Sequence, residues 1–156
     1  MRYDEINQKL KDASFDFFYW FSRFEFLLKK YDHLKSREEG DKAEPNWEHF
    51  ISNLKGKYKI TEEAKELLLL HPKRQVVGAS SRLVWRRVGI QHCNNDLCRV
   101  ATMLRTIRNN LFHGGKHGDL EVDDKERNLK LLLLGKTVLD QFAEQFDYEG
   151  DYYRRY

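Results

Sequence analysis

The stretch Ile6–Leu34, INQKLKDASFDFFYWFSRFEFLLKKYDHL, decides the fold class. Its apolar residues Ile6, Leu10, Ala13, Phe17, Phe21, Phe24, Leu28, Tyr31 and Leu34 recur in steps of three and four, the stripe of an amphipathic α-helix. A helix from an N-cap at Asp4 to about Lys35 would be on the order of 45 Å long and would need partners along its whole length. Phe18, Tyr19, Trp20 and Phe26 widen the apolar arc beyond one stripe. Most of these aromatics read as core, although Trp20 and Phe26 could as readily face a second subunit.

The rest of the chain supplies such partners. With 156 residues, 40% apolar content, ten Phe, eight Tyr and three Trp, residues 1–156 read as one domain with a substantial core. Two Pro and nine Gly argue against a turn-rich β architecture. No apolar run approaches the roughly 18 residues that span a bilayer, and Leu67–Leu70 and Leu131–Leu134 fall far short. Met1–Glu5 leads straight into a charged amphipathic pattern without the apolar region of a signal peptide, so a cytoplasmic location away from membranes is expected.

Ser36–Pro45 is polar and broken by Gly and Pro, hence a loop. Asn46 caps a short helix carrying Trp47, Phe50, Ile51 and Leu54. Thr61 caps another, with Glu62 and Glu63 placed to favour its positive end, which runs through Leu67–Leu70 and stops at Pro72. Residues 73–94 are a basic excursion in which Val76–Gly78 and Leu83–Trp85 fit either short extended pieces or a helical turn. Asn94 or Asn95 opens a helix to about Phe112 with Leu97, Val100, Ala101, Leu104, Ile107 and Leu111 on its apolar side. After a polar loop to Asp123 or Asp124, a last helix carries Leu129, Leu132, Leu133, Val138, Leu139, Phe142 and Phe146. Asp147–Tyr156 reads as a frayed end or an interface arm. The sum is an all-α, antiparallel up-and-down helical bundle with short additional helices.

Cys93 and Cys98 are too few for a disulfide scaffold. Their C-x4-C spacing beside His92 is loose for zinc, and no second Cys/His pair follows, so two reduced cysteines near a helix start are expected. Charge is unevenly spread. Residues 72–118 hold nine Lys/Arg against one acid, Asp96, a net +8 in a chain whose total is +3. A surface with so little mixing of signs faces an anion, and RNA is the obvious polyanion.

Within that block stands Arg108–Gly115, RNNLFHGG. At 100° per residue Arg105, Asn109 and His113 share one helix face, while Arg108 lies about 140° around the helix from His113. Either the glycines unwind the last turn, or a cleft shared between two subunits unites the groups. An imidazole that titrates near neutrality can move the proton of a ribose 2′-hydroxyl. A guanidinium can hold the non-bridging phosphate oxygens, and Asn109 can orient either partner. No carboxylate cluster suited to two-metal hydrolysis is present, so neither metal nor cofactor is expected. His113 has a plainer reading, a C-terminal histidine answering the helix dipole before Gly114 and Gly115. His92 follows Arg86 and Arg87 at a similar spacing, without the polar partner or helical context, and stands as a decoy.

R-N-N-L-F-H-G-G-K resembles the signature of the HEPN family (higher eukaryote and prokaryote nucleotide-binding domains): an arginine, a polar residue, and a histidine four to six positions on, near a helix end. The aromatic first helix, with FFYWFSRFEF at Phe17–Phe26, and the Leu-rich last helix are similar to that family's plan. The resemblance implies an up-and-down bundle that dimerises so that two motifs line one cleft. It implies metal-independent endoribonuclease activity, often in toxin–antitoxin or anti-phage systems, with Arg108 and His113 as the catalytic pair and Asn109 as the polar position. Some members bear a tyrosine, modified by a partner nucleotidyltransferase, two residues after the histidine; Gly115 stands there instead. Other members are non-catalytic modules that bind RNA or nucleotide, and a helical protein-interaction adaptor is a further alternative. The expected partners are a second copy of the chain, RNA through Arg86, Arg87, Arg105 and Lys116, and an antitoxin protein or RNA.

Overall fold

The computed structural model describes residues 6–113 and 124–154. The chain is mostly helical, in the order α1 (Gln8–Lys30), α2 (Trp47–Leu54), α3 (Glu62–Leu70), β1 (Lys73–Val77), β2 (Leu83–Arg87), α4 (Asp96–His113), α5 (Lys125–Gln145) and α6 (Glu149–Tyr152). No helix among the described residues is long and apolar enough to cross a membrane.

Capping chemistry sets most boundaries. The side chains of Asn46, Thr61 and Asp124 accept backbone N–H groups of the first turns of α2, α3 and α5. Asn95 does the same for α4 through Cys98 N–H at 2.9 Å. α1 is capped by Asn7, three residues later than the expected Asp4, which lies outside the described residues. α3 ends as His71 turns left-handed (φ 44°) before Pro72, and the His71 Nε2–H donates to the Val88 carbonyl at 2.7 Å.

α1 lies along α5, α4 packs against both, and α3 packs against α5 and α4. Phe17, Phe21, Phe24, Leu27 and Leu28 of α1 meet Val100, Met103 and Leu104 of α4 and Val138, Leu139 and Phe142 of α5 in one core. Each such side chain contributes roughly 1.5–3 kcal/mol by leaving water. Leu133, expected inside, is half-exposed, and Leu131 is buried in its place. Gly135 sits inside α5, where glycine costs about 1 kcal/mol relative to alanine. A Cβ there would stand 2.6 Å from the Phe17 ring. Its absence lets the α5 backbone approach α1.

Three expectations are corrected. The chain is not all-α: β1 and β2 form an antiparallel hairpin, with Lys73 opposite Arg87, Arg74 opposite Arg86 and Val76 opposite Val84. Branched Val76, Val77 and Val84 with Trp85 favour extended backbone, but five-residue strands leave too little alternation for periodicity to reveal. Cys93 and Cys98 are not separate thiols. The turn into α4 brings their Cα atoms to 5.4 Å, and a disulfide joins them. Nor is the C-terminal tail a loose arm, as far as Arg154. Tyr148 and Tyr152 are buried, Tyr148 stacks on Tyr31 at 4.2 Å, and Trp20 packs on Tyr152 at 4.7 Å. The Lys30–Asp151 ion pair ties α6 to the end of α1.

Candidate nucleic-acid interface

α4 presents its motif-bearing side between two walls. One is the loop from Lys35 to Pro45, the other the base of the β-hairpin. Asn110 fixes the second wall by donating to the Lys73 carbonyl at 2.7 Å. Arg105 and Asn109, one helical turn apart and both exposed, line the cleft on each side of α4.

The first cleft, about 400 Å³, has mixed charge. Lys35 and Lys42 both reach Glu44 at 2.8 Å and hold its carboxyl down to about 2. Arg108 opens here. Its Nη2 donates to both Glu25 oxygens at 3.3 Å, its Nη1 donates to Asn109 Oδ1 at 3.0 Å, and its guanidinium lies over the Phe21 ring at 5.4 Å. The Glu25 carboxylate also accepts the Trp47 indole N–H at 3.0 Å. Arg108 is therefore an anchored cation with one carboxylate already beside it.

The second cleft, about 240 Å³, is basic. Arg74, His92 and Arg105 line it with Thr102, Thr106 and Asn109, and none of the described residues lining it is acidic. Arg86, cross-strand from Arg74, shares that face of the hairpin, and Arg87 is paired in register with Lys73 on the other. Like charges placed directly opposite destabilise a hairpin. Two such pairs in succession concentrate positive charge on the hairpin.

No family model, curated protein or solved structure matches this chain.

The structure brings Arg105, Arg108 and Asn109 together in the first cleft, where Arg108 turns toward Glu25 and donates to Asn109. Arg105 and Asn109 also line the second cleft, with Arg86 on the adjoining hairpin, and Arg108 does not. α4 is helical through residue 113, whose backbone position falls on the helix line of Arg105 and Asn109; the unwinding expected from the two glycines lies outside the described residues. The His113 side chain, Gly114, Gly115 and Lys116 lie outside the described residues. Arg74, Glu25 and His92 escaped the sequence reading as site residues. Glu25 had a signal: it falls in the step from Phe21 to Leu28, where a carboxylate requires a cationic or hydrogen-bonding partner. The decoy spacing of His92 did not foretell its place in the basic cleft.

Proposed function

We propose that the chain is a HEPN-like RNA-binding protein acting as a metal-independent endoribonuclease, built on an antiparallel up-and-down helical bundle and working as a homodimer. The observation that carries this reading is the basic cleft along α4, where Arg74, Arg105 and Asn109 stand beside the hairpin's paired cations on the helix face that leads to residue 113. A phosphodiester backbone suits such a surface, because each phosphate neutralised releases counterions. His113 would take the proton of a ribose 2′-hydroxyl. The freed oxygen would attack the adjacent phosphorus, and the 5′-oxygen would leave with a proton, giving a 2′,3′-cyclic phosphate and a 5′-hydroxyl. Arg108 would steady the charge on the non-bridging oxygens.

The divergence of Arg108 from the face of residue 113 favours a dimeric cleft. An exposed aromatic strip, on which Phe18 meets Phe112 at 5.2 Å and Phe15 stacks on Tyr19 at 6.4 Å, lies at the end of α4 that bears the motif. A second copy seated there would bring its own motif alongside. Such an enzyme would act in a toxin–antitoxin or anti-phage system, restrained by an antitoxin protein or RNA. A second reading, a non-catalytic RNA-binding module, is favoured by one observation: Glu25 already occupies Arg108.

The test is cleavage of RNA in excess chelator. The enzyme reading expects cyclic-phosphate products, resistance of substrates with 2′-deoxy at the scissile position, and loss of cleavage in His113→Ala with binding retained. Salt-sensitive RNA binding without cleavage would leave the module. Binding insensitive to salt would remove both.

A further inference from the structure

The geometry points to a site for a thiophilic divalent cation of the zinc class, formed by His92, Cys93 and Cys98 when the disulfide is reduced. The two sulfurs and one imidazole nitrogen of these residues lie within 4.8 Å of one another, the only such group of three among the described residues. The Cys93 Sγ to His92 Nε2 distance is 3.5 Å. Zn–S bonds of about 2.3 Å and Zn–N bonds of about 2.0 Å at a tetrahedral angle put sulfur and nitrogen about 3.5 Å apart, so this edge of the polyhedron is already in place. The second edge needs the two sulfurs to separate to about 3.8 Å once the disulfide is broken, and the third needs the His92 nitrogen and the Cys98 sulfur, within 4.8 Å of each other, to stand about 3.5 Å apart.

Sequence spacing argued against zinc because a second Cys/His pair is missing. The fold supplies three donors from one turn instead, and a three-donor set leaves a fourth position for water or a small thiol. Cys98 lies in the first turn of α4, and its N–H donates to Asn95 Oδ1 at 2.9 Å, which fixes the backbone that carries its sulfur. Thr102 Oγ1, which donates to the Cys98 carbonyl at 2.8 Å, sits 3.8 Å from Cys93 Sγ and packs the sulfur from the helix side. Cys93 is buried while His92 is exposed, so an ion approaches from the His92 side.

The chemistry balances simply. A thiol or phosphine reductant takes the oxidising equivalent of the disulfide, two thiols form, and the cation displaces their two protons. Because His92 also lines the basic cleft, a bound cation would fix the 88–95 turn that forms one of its walls.

Cobalt(II) is the probe, titrated anaerobically into the full chain after phosphine reduction. One ion per chain is expected, with the visible bands of tetrahedral cobalt and a thiolate charge-transfer band, both abolished by zinc. The oxidised chain is the control for folding and should give neither band. His92→Ala should weaken cobalt binding by at least about tenfold, and Cys93→Ser should remove the charge-transfer intensity of one sulfur. An octahedral spectrum, one ion per two chains, or unchanged affinity in His92→Ala would overturn the site.

Discussion

If Glu25 anchors Arg108, the two residues should be thermodynamically coupled. The ion pair is neither buried nor free: the side chains are 20% and 34% exposed, with both Glu25 oxygens 3.3 Å from one guanidinium nitrogen. Exposed pairs couple by about 0–1 kcal/mol, and removing one member of a buried pair costs about 3–5 kcal/mol. This geometry calls for a coupling of about 1–2 kcal/mol between those limits. Glu25→Gln keeps an acceptor for the Trp47 indole and should cost about that much. Glu25→Ala also strips the partner from the Trp47 N–H, whose residue is only 5% exposed, adding about 1 kcal/mol. Urea unfolding of wild type, Glu25→Gln, Arg108→Ala and the double variant yields the coupling directly. A value under about 0.3 kcal/mol, the ordinary scatter of independent sites, would refute the anchor. Glu25→Gln also releases the guanidinium. Retained cleavage in that variant, set against its loss in Arg108→Ala, would separate a catalytic arginine from a structural one.

Two further outcomes follow from charge. Arg86→Glu turns the Arg74–Arg86 cross-strand repulsion into attraction, so the fold should gain about 0.2–1 kcal/mol while RNA affinity falls and its salt dependence flattens; a destabilised variant, or one that binds RNA as wild type does, would contradict the cationic hairpin. His33 is buried with its Nδ1 3.0 Å from His49 Nδ1 and its Nε2 3.2 Å from the Tyr148 hydroxyl, and burial first, then His49, holds its pKa below the ordinary 6.5 despite Asp32. The unfolded chain then binds a proton there before the folded one does, so the stabilisation is whole above about pH 6.5 and is lost as pH falls from that value through the lowered folded pKa. The urea midpoint should drop between about pH 7.5 and about pH 5.5, and His33→Gln should flatten that drop; equal slopes would refute it.

Periodicity and capping were legible because both are local. The stripe from Leu10 to Leu28, the caps Asn46 and Thr61, and the apolar side of α4 follow from 3.6-residue repeats and from side chains that bond their own backbone. The basic character of residues 72–118 was equally plain, since charge needs only counting. What remained hidden depends on contacts between residues distant in sequence. Nothing near Gly135 announces that Phe17 lies against it, and no composition rule turns an acidic, tyrosine-rich tail into a packed cap on α1. The hairpin register alone sets cation opposite cation. Tertiary packing alone hands Arg108 to Glu25 across 83 residues, while Arg105 and Asn109 reach both that cleft and the basic one. Residue type and spacing determined which helices form and which groups have the right chemistry; the direction of each group was decided by the elements packed against α4, because a helix fixes angles around its own axis but not what stands beside it.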